Sequence, residues 1–407
     1  MDIDLERLRS DLETLADFGR SARPGINRVS FSAADMAGRA WFLERLREAG
    51  LEAAMDGAGN VCGLWHAGEG PRVMAGSHLD TVPEGGLFDG ALGACAALEC
   101  VRALKESGFE PARPLEVVAT AEEEGRFGGM FGAQALAGRL TADWIEAAVS
   151  DGGERLVDAL AANGLSVEGA LAAARPKGSV AAFLELHVEQ GPLLEARGLP
   201  LGIVEGISGV INWTVRLSGR ANHSGTTPMA LRADAFAGLA AFAAGIPALI
   251  ERAGGPESRI TVGRVELQPG YPHTIPGQAE FSLIVRDLEE AVLDRLAAAC
   301  RDELAAAAAG QGLGLSILDQ GRLAPTACDP CLIALLQEEA EALGRPALTM
   351  PSGAGHDAQT LLSLCPAGLI FVPSRGGVSH APEEWTDWAD VAAGTELLGR
   401  ALRRLAS

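Results

Sequence analysis

The sequence predicts an α/β protein: a mixed, mostly parallel sheet with helices on both faces, interrupted by an inserted α+β unit of order βαββαβ. Three observations carry this. Apolar strand-like runs alternate with helical segments through about residue 190. After Gly206-Ile-Ser-Gly209 the pattern changes to period-two strands and Ala-rich helices. A chain of 407 residues also exceeds one ordinary core, which favours two domains.

The elements follow in order. Ser32 to Gly50 reads as a helix, with Ser32 as cap, Asp35 three residues on and Gly50 at its end. Met74-Ala-Gly-Ser-His is an apolar strand that ends in His78 and Asp80, and a Gly-rich loop then delivers Asp89 to a helix over Ala91 to Ser107. Leu115-Glu-Val-Val-Ala-Thr is a strand just before Glu122-Glu-Glu-Gly, and Leu156 to Ala174 is expected to be helical. Ala181-Ala-Phe-Leu-Glu-Leu-His is the strand of His187. In the insert, Val210 to Gly219 alternates at period two, Ala233 to Glu251 is a helix, and two alternating strands begin at Arg259 and Ala279. Glu289 to Ala309 is a second helix, and Leu313-Gly-Leu-Ser-Ile-Leu-Asp closes a split βαβ unit. The first domain resumes near Pro325 and runs through Gly368-Leu-Ile-Phe-Val-Pro to His380 and a C-terminal helix. The expected domains are therefore 1–209 with 325–407, and 210–324.

Composition narrows the function. The formal charge of -21 argues against nucleic acid and against anionic membrane surfaces, because both need a basic face. The N-terminus, Met-Asp-Ile-Asp-Leu-Glu-Arg-Leu-Arg, begins a charged amphipathic helix and lacks the regions of a signal peptide. The most apolar helix, Gly238 to Ile250, is read as broken at Pro247 and too short to cross a bilayer. A cytoplasmic protein is expected. Seven cysteines fit reduced thiols, and the lone pair Cys328-Asp-Pro-Cys331 is a weak zinc or redox signal.

The chemistry lies at the strand ends. His78, Asp89, Glu124, His187 and His380 are all metal-ligand types, and open α/β sheets bind ligands beyond the carboxyl ends of their strands. Taken singly, a His at a strand end is more often structural; the ordered set is what points to metal. Imidazole and carboxylate together suit zinc or manganese, with cobalt or nickel also possible. Two divalent cations sharing one carboxylate are expected, with Asp89 as the bridge. Asp80 falls on the same strand face as His78 and is expected to accept that ring's other N–H. Such a pair of metals lowers the pKa of a bridging water and polarises a carbonyl. Glu123, next to Glu124, is the candidate general base and acid.

These motifs resemble those of the dinuclear metal amidohydrolases that include N-carbamoyl-L-amino acid hydrolase, allantoate amidohydrolase and β-ureidopropionase. Gly76-Ser-His-Leu-Asp-Thr-Val-Pro, Gly86-Leu-Phe-Asp-Gly, Glu122-Glu-Glu-Gly, Glu185-Leu-His-Val-Glu-Gln-Gly-Pro and Ser379-His-Ala-Pro-Glu-Glu occur in that family's order over nearly the whole chain. The resemblance implies that His78, Asp89 and His187 hold one metal. It implies that Asp89, Glu124 and His380 hold the other, with a metal-bridging hydroxide as nucleophile. It assigns Gln190 to the substrate. The insert resembles the family's lid and dimerisation domain through Gly219-Arg-Ala-Asn-His223-Ser-Gly-Thr-Thr-Pro, which implies a homodimer. His223 would then stabilise the oxyanion and Arg286 grip the substrate carboxylate. Gly353-Ala-Gly-His356-Asp357 matches a substrate loop.

Two departures bear on specificity. His273, in Pro272-His-Thr-Ile-Pro-Gly277, stands where the family usually has Asn, and the turn after Glu124 reads Gly-Arg-Phe where Gly-Ser-Arg-Phe is usual. Three readings compete at this point. The first is a hydrolase of N-carbamoyl-L-amino acids, with allantoate or another ureido acid as alternative substrate. The second is an aminoacylase or dipeptidase on the same metals, and the third a binding protein without catalysis.

Overall fold

The structure, a computed structural model, describes residues 2–20 and 22–407. The chain forms two compact units, Met1–Glu205 with Cys328–Ser407, and Gly206–Ala327.

The larger unit is built on a sheet whose centre is parallel. Leu115–Thr120, Arg72–His78, Val180–Val188 and Ala367–Val372 lie side by side in that order, each parallel to its neighbour. Antiparallel strands flank them, Glu52–Met55 with Val61–Trp65 on one side and Leu201–Ile207 on the other. The central strands are buried along nearly their whole length, which is why they read as continuous apolar runs. Helices Leu5–Asp17, Ala33–Glu48, Ala91–Glu106 and Trp388–Leu405 close the main core around Leu12, Phe42, Leu98 and Leu398. Helix Ala91–Glu106 lies tight on the sheet. A Cβ on Gly93 would fall 2.4 Å from the Leu186 carbonyl oxygen and 2.7 Å from the Ser77 side chain. Only glycine permits that approach.

The smaller unit is a four-stranded antiparallel sheet in the order Gly314–Leu323, Gly209–Ser218, Gln278–Asp287, Arg259–Gln268. Buried and half-buried residues alternate along Gln278–Asp287. The inward set, Phe281, Leu283 and Val285, packs with Phe242, Leu293 and Leu296 of helices Ala235–Ala253 and Glu290–Gly310.

Two expected elements differ. The segment Leu156 to Ala174 is two short helices, Leu156–Ala162 and Val167–Ala172, because Gly164 takes φ +73° and turns the chain between them. The apolar helix is not broken at Pro247. It runs from Ala235 to Ala253, and by length and composition alone it is long enough to cross a membrane. Leu239, Phe242 and Leu249 on either side of the proline are buried in the unit's core, so tertiary packing carries the helix past the missing N–H.

Candidate active site

The four parallel strands deliver the candidate ligands to one end of the sheet. His78 ends its strand, opposite Thr120 of the next. The chain leaves Thr120 into a turn that presents Glu122, Glu123 and Glu124, with Glu122 at φ +55°. His187 pairs in register with Phe371, and eight residues after Val372 the chain reaches His380, also at φ +55°. Gln190 has φ +57°. Left-handed backbone at three non-glycine residues around one site is the kind of local strain that functional sites retain.

Asp89 lies between these arms, and its two oxygens face different partners. Oδ1 is 3.5 Å from His78 Nε2 and 3.1 Å from His187 Nε2. Oδ2 is 3.3 Å from His380 Nε2, which is itself 3.5 Å from Glu124 Oε2. Two ligand groups, His78–Asp89–His187 and Asp89–Glu124–His380, thus share one carboxylate. Glu123 Oε2 sits 3.5 Å from His78 Nε2. The Gln190 amide donates to Asp89 Oδ2 at 2.8 Å and lies 3.2 Å from His380 Nε2.

The donors suit divalent cations. His78 Nδ1 is 2.9 Å from the Asp80 carbonyl oxygen and His187 Nδ1 is 2.9 Å from that of Val188. A carbonyl accepts only, so each Nδ1 carries a hydrogen, and in the neutral ring each Nε2, which faces Asp89, is the lone pair a cation would take. The Gly90 N–H also lies 3.2 Å from His187 Nε2. Glu124 Oε1 and Gln190 Oε1 are buried with no hydrogen-bond partner. Imidazole nitrogens and carboxylates in this mix fit zinc, manganese, cobalt or nickel.

Charge at the site is strongly coupled. Burial pushes the Glu123 carboxyl well up, against the opposing pull of His78. Burial, helped by Asp89, takes Glu124 up to about 7. For Asp89 burial is outweighed by His187 and by hydrogen bonds from the three imidazoles, so it stays well below the usual carboxylate range. The hydrogen bond to Asp89 leads in raising His380 to about 9. A cation placed among these groups displaces protons.

Residues 74–404 match the model of peptidase family M20/M25/M40. The chain belongs to this family. It is 38% identical to N-carbamoyl-L-amino acid amidohydrolase of Geobacillus stearothermophilus, with 98% of each chain covered. It is 34% identical to allantoate amidohydrolase of Escherichia coli strain K12, again over 98% of each. A crystal structure of an amidase of the hydantoinase/carbamoylase family from Burkholderia multivorans superposes with a TM-score of 0.90 at 32% identity, covering 99% of this chain and 98% of that one. The protein is an amidohydrolase by family.

Other residues of this M20 protein depart from what the sequence suggested. The Asp80 side chain does not meet the His78 ring; its carbonyl oxygen does. The Asp80 carboxylate instead accepts the backbone N–H groups of Glu123 at 3.4 Å and Glu124 at 3.2 Å. Its partners come from the next strand's turn, and no local spacing signals them. His356 is 2% exposed, packs edge-on against His187 with centroids 4.6 Å apart, and meets Ser352 Oγ at 2.9 Å. Its ring thus packs against His187, whose Nε2 faces Asp89. Burial and the His187 charge hold its pKa well below the usual range, so the ring is neutral. Gly353 is exposed, with open space where a Cβ would stand.

Two residues inside the quoted motifs have parts that the sequence alone does not show. Glu384 is buried and accepts the N–H of Phe88 at 2.9 Å and of Asp89 at 3.0 Å. Glu122 accepts the N–H of Phe127 at 2.6 Å and of Gly129 at 3.1 Å, and so shapes the turn that carries Glu123. The signal available was their place beside assigned residues, in Pro-Glu-Glu and in Glu-Glu-Glu. Trp385 and Trp388 meet Phe88 edge-on at 5.5 and 5.4 Å. Among the described residues, the groups able to hold a metal do not include Cys328 or Cys331.

In the smaller unit, His223 and His273 are exposed neighbours, since Ser224 N–H donates to the His273 carbonyl at 3.0 Å. His223 Nδ1 accepts the Gly225 N–H at 3.0 Å, which leaves Nε2 as the donor of a neutral ring. Arg286 is half-buried on Gln278–Asp287.

Proposed function

We propose that this protein hydrolyses the carbamoyl C–N bond of N-carbamoyl-L-amino acids, with His78, Asp89 and His187 holding one divalent cation and Asp89, Glu124 and His380 a second. The observation that carries the reading is Asp89 turning one oxygen to each histidine set, with Glu123 alongside. Bound there, the cations would polarise the ureido carbonyl and lower the pKa of a water. Glu123 takes the proton of the attacking water at Oε2 and returns it to the nitrogen that leaves with the amino acid. Water adds to the carbonyl carbon, the C–N bond breaks, and the carbamate product decays to carbon dioxide and ammonia. Gln190 orients the ureido group. His223, through its Nε2–H, stabilises the oxyanion, and Arg286 holds the substrate carboxylate in a two-point fork.

Two further features support this substrate class over allantoate. The carbamoylase relative is the more similar of the two compared. A cavity of about 470 Å³ also adjoins Glu124, walled by Val29, Val82 and Pro83 on one part and by Ser150, Asp151 and Glu154 on another, and has room for an amino-acid side chain. Arg126 lines it too, with its charge committed to Glu154 and to the Ser30 carbonyl.

The functional unit is a homodimer formed through the smaller unit. Its two edge strands expose Val265 at 44%, Leu318 at 59% and Leu323 at 48%, an apolar surface that association would cover. A monomer by light scattering at micromolar concentration, with full activity, would remove the dimer.

The test of function is a panel on protein reloaded with Mn²⁺ or Zn²⁺ beside a chelated control. It holds N-carbamoyl-L-amino acids, allantoate, N-acetyl amino acids and dipeptides, with products read by mass spectrometry. Metal-dependent cleavage of the carbamoyl series is expected. Cleavage of allantoate alone would move the substrate, and cleavage of acyl or peptide amides alone would overturn the ureido class.

A further inference from the structure

Helix Ala33–Glu48 supplies no residue of the ligand set, yet it carries a fully buried guanidinium that reaches the base of the site. We propose that Arg39 is a positioning residue for the Glu123–Glu124 turn, acting through Asp80. The inference rests on the proposed roles of those two glutamates.

The contacts run as one network. Arg39, Asp35 and Asp80 are each 0% exposed. Arg39 Nε is 2.9 Å from Asp35 Oδ1, and Nη1 donates to the Thr120 carbonyl at 2.9 Å and the Gly59 carbonyl at 3.1 Å. Nη2 makes an ion pair with Asp80 Oδ1 at 3.5 Å. That same Oδ1 accepts the Glu123 N–H, while Oδ2 accepts the Glu124 N–H and the Ser30 hydroxyl at 2.7 Å. Asp35 Oδ2 accepts the Phe31 N–H at 2.8 Å, where Phe31 stands at φ +58°, and so fixes the turn that presents Ser30.

Arg39 therefore grips the turn at both places that set its direction. One is the Thr120 carbonyl, where the strand ends. The other is the carboxylate that anchors the two glutamate amides. The Ser30 hydroxyl and the two glutamate amides fill the lone pairs of Asp80, and Arg39 sets a cation on the oxygen that holds the Glu123 amide. A planar fork can serve an acid, two carbonyls and a second acid at once, which a lysine ammonium cannot reproduce. A buried ion pair kept for stability alone would place no constraint on where its acceptor's other lone pairs point.

The test is a double-mutant cycle of Arg39→Met and Asp80→Asn, alone and together, on the full chain. Two readouts are taken: the Kd for Mn²⁺ by chelator competition, and kcat and KM on an N-carbamoyl-L-amino acid. Each single change should weaken Mn²⁺ binding and lower kcat by ~10–100-fold, as loss of a group behind a metal ligand does, with KM little altered. The double variant should be no worse than the poorer single one, because both remove one linkage. Additive losses would overturn the proposal. If Arg39→Met fails to fold, Arg39→Lys carries the cycle, and a lowered Tm with wild-type Mn²⁺ Kd and kcat would overturn it equally. Wild-type protein inactive on every ureido compound would defeat the functional reading, while the Mn²⁺ cycle would still decide the role of Arg39.

Discussion

Glu384 accepts the backbone N–H of Asp89 at 3.0 Å, so the carboxylate that faces both histidine sets is itself held by a second, buried carboxylate. Ser379 lies between them, with its hydroxyl 2.8 Å from Glu384 and 3.0 Å from Asp89. Burial, then the Asp89 charge, raises the Glu384 pKa. A hydroxyl has one hydrogen, so a protonated Glu384 lets Ser379 accept from it and donate to Asp89. Glu384→Ala frees the Asp89 loop and should weaken metal affinity by ~10–100-fold. Chelator competition measures it, and an unchanged Kd would show that Asp89 is positioned by something else.

Gly90 is required by the same loop. Its φ is +64°, and a Cβ there would fall 2.3 Å from the His78 ring. Gly90→Ala should cost at least about 1–3 kcal/mol from backbone strain alone and displace His78. Urea unfolding and metal content by atomic absorption report the two effects. A stable variant that binds metal at wild-type level would contradict the stated packing.

Metal binding should release protons. In the metal-free protein His380 titrates at about 9 and Glu124 at about 7, both raised, so near neutral pH the ring is charged and the carboxyl partly protonated. A ligand must shed its proton, so affinity should climb with pH until His380 is neutral and fall steadily as pH drops. Calorimetry in buffers of different ionisation enthalpy counts the protons. Heats independent of the buffer would refute the coupling.

Arg286→Ala should raise KM by ~10–100-fold, the loss expected from removing a charge-assisted hydrogen bond of roughly 1.5–3 kcal/mol, and leave kcat less affected. Steady-state kinetics on several N-carbamoyl-L-amino acids decide it. A wild-type KM on all of them would end the carboxylate role.

The candidate ligand set is legible in the sequence because strand periodicity fixes what lies at a strand's end, and His78, His187 and the Glu122-Glu-Glu turn each follow directly from one. The pairing around Asp80 is not. Ser30 and Arg39 reach it from 50 and 41 residues away, and nothing local distinguishes Arg39 from the exposed Arg47 of the same helix. Pro247 misled for a related reason: propensity argues for a break, while Phe242 and Leu249 in a shared core decide the outcome. His356 sits in a Gly-rich loop that suggests ligand contact, and only its ring packing on His187 reveals a supporting part.

The proposed reaction turns on Glu123 moving the proton at a two-cation centre acting on a ureido carbonyl. The direct measurement is ammonia release from an N-carbamoyl-L-amino acid by wild-type protein and by Glu123→Gln, each loaded with Mn²⁺ to the same measured occupancy. The wild type should hydrolyse the substrate, and the variant should lose at least ~100-fold in kcat at equal metal content. A Glu123→Gln protein that hydrolyses at the wild-type rate would contradict it.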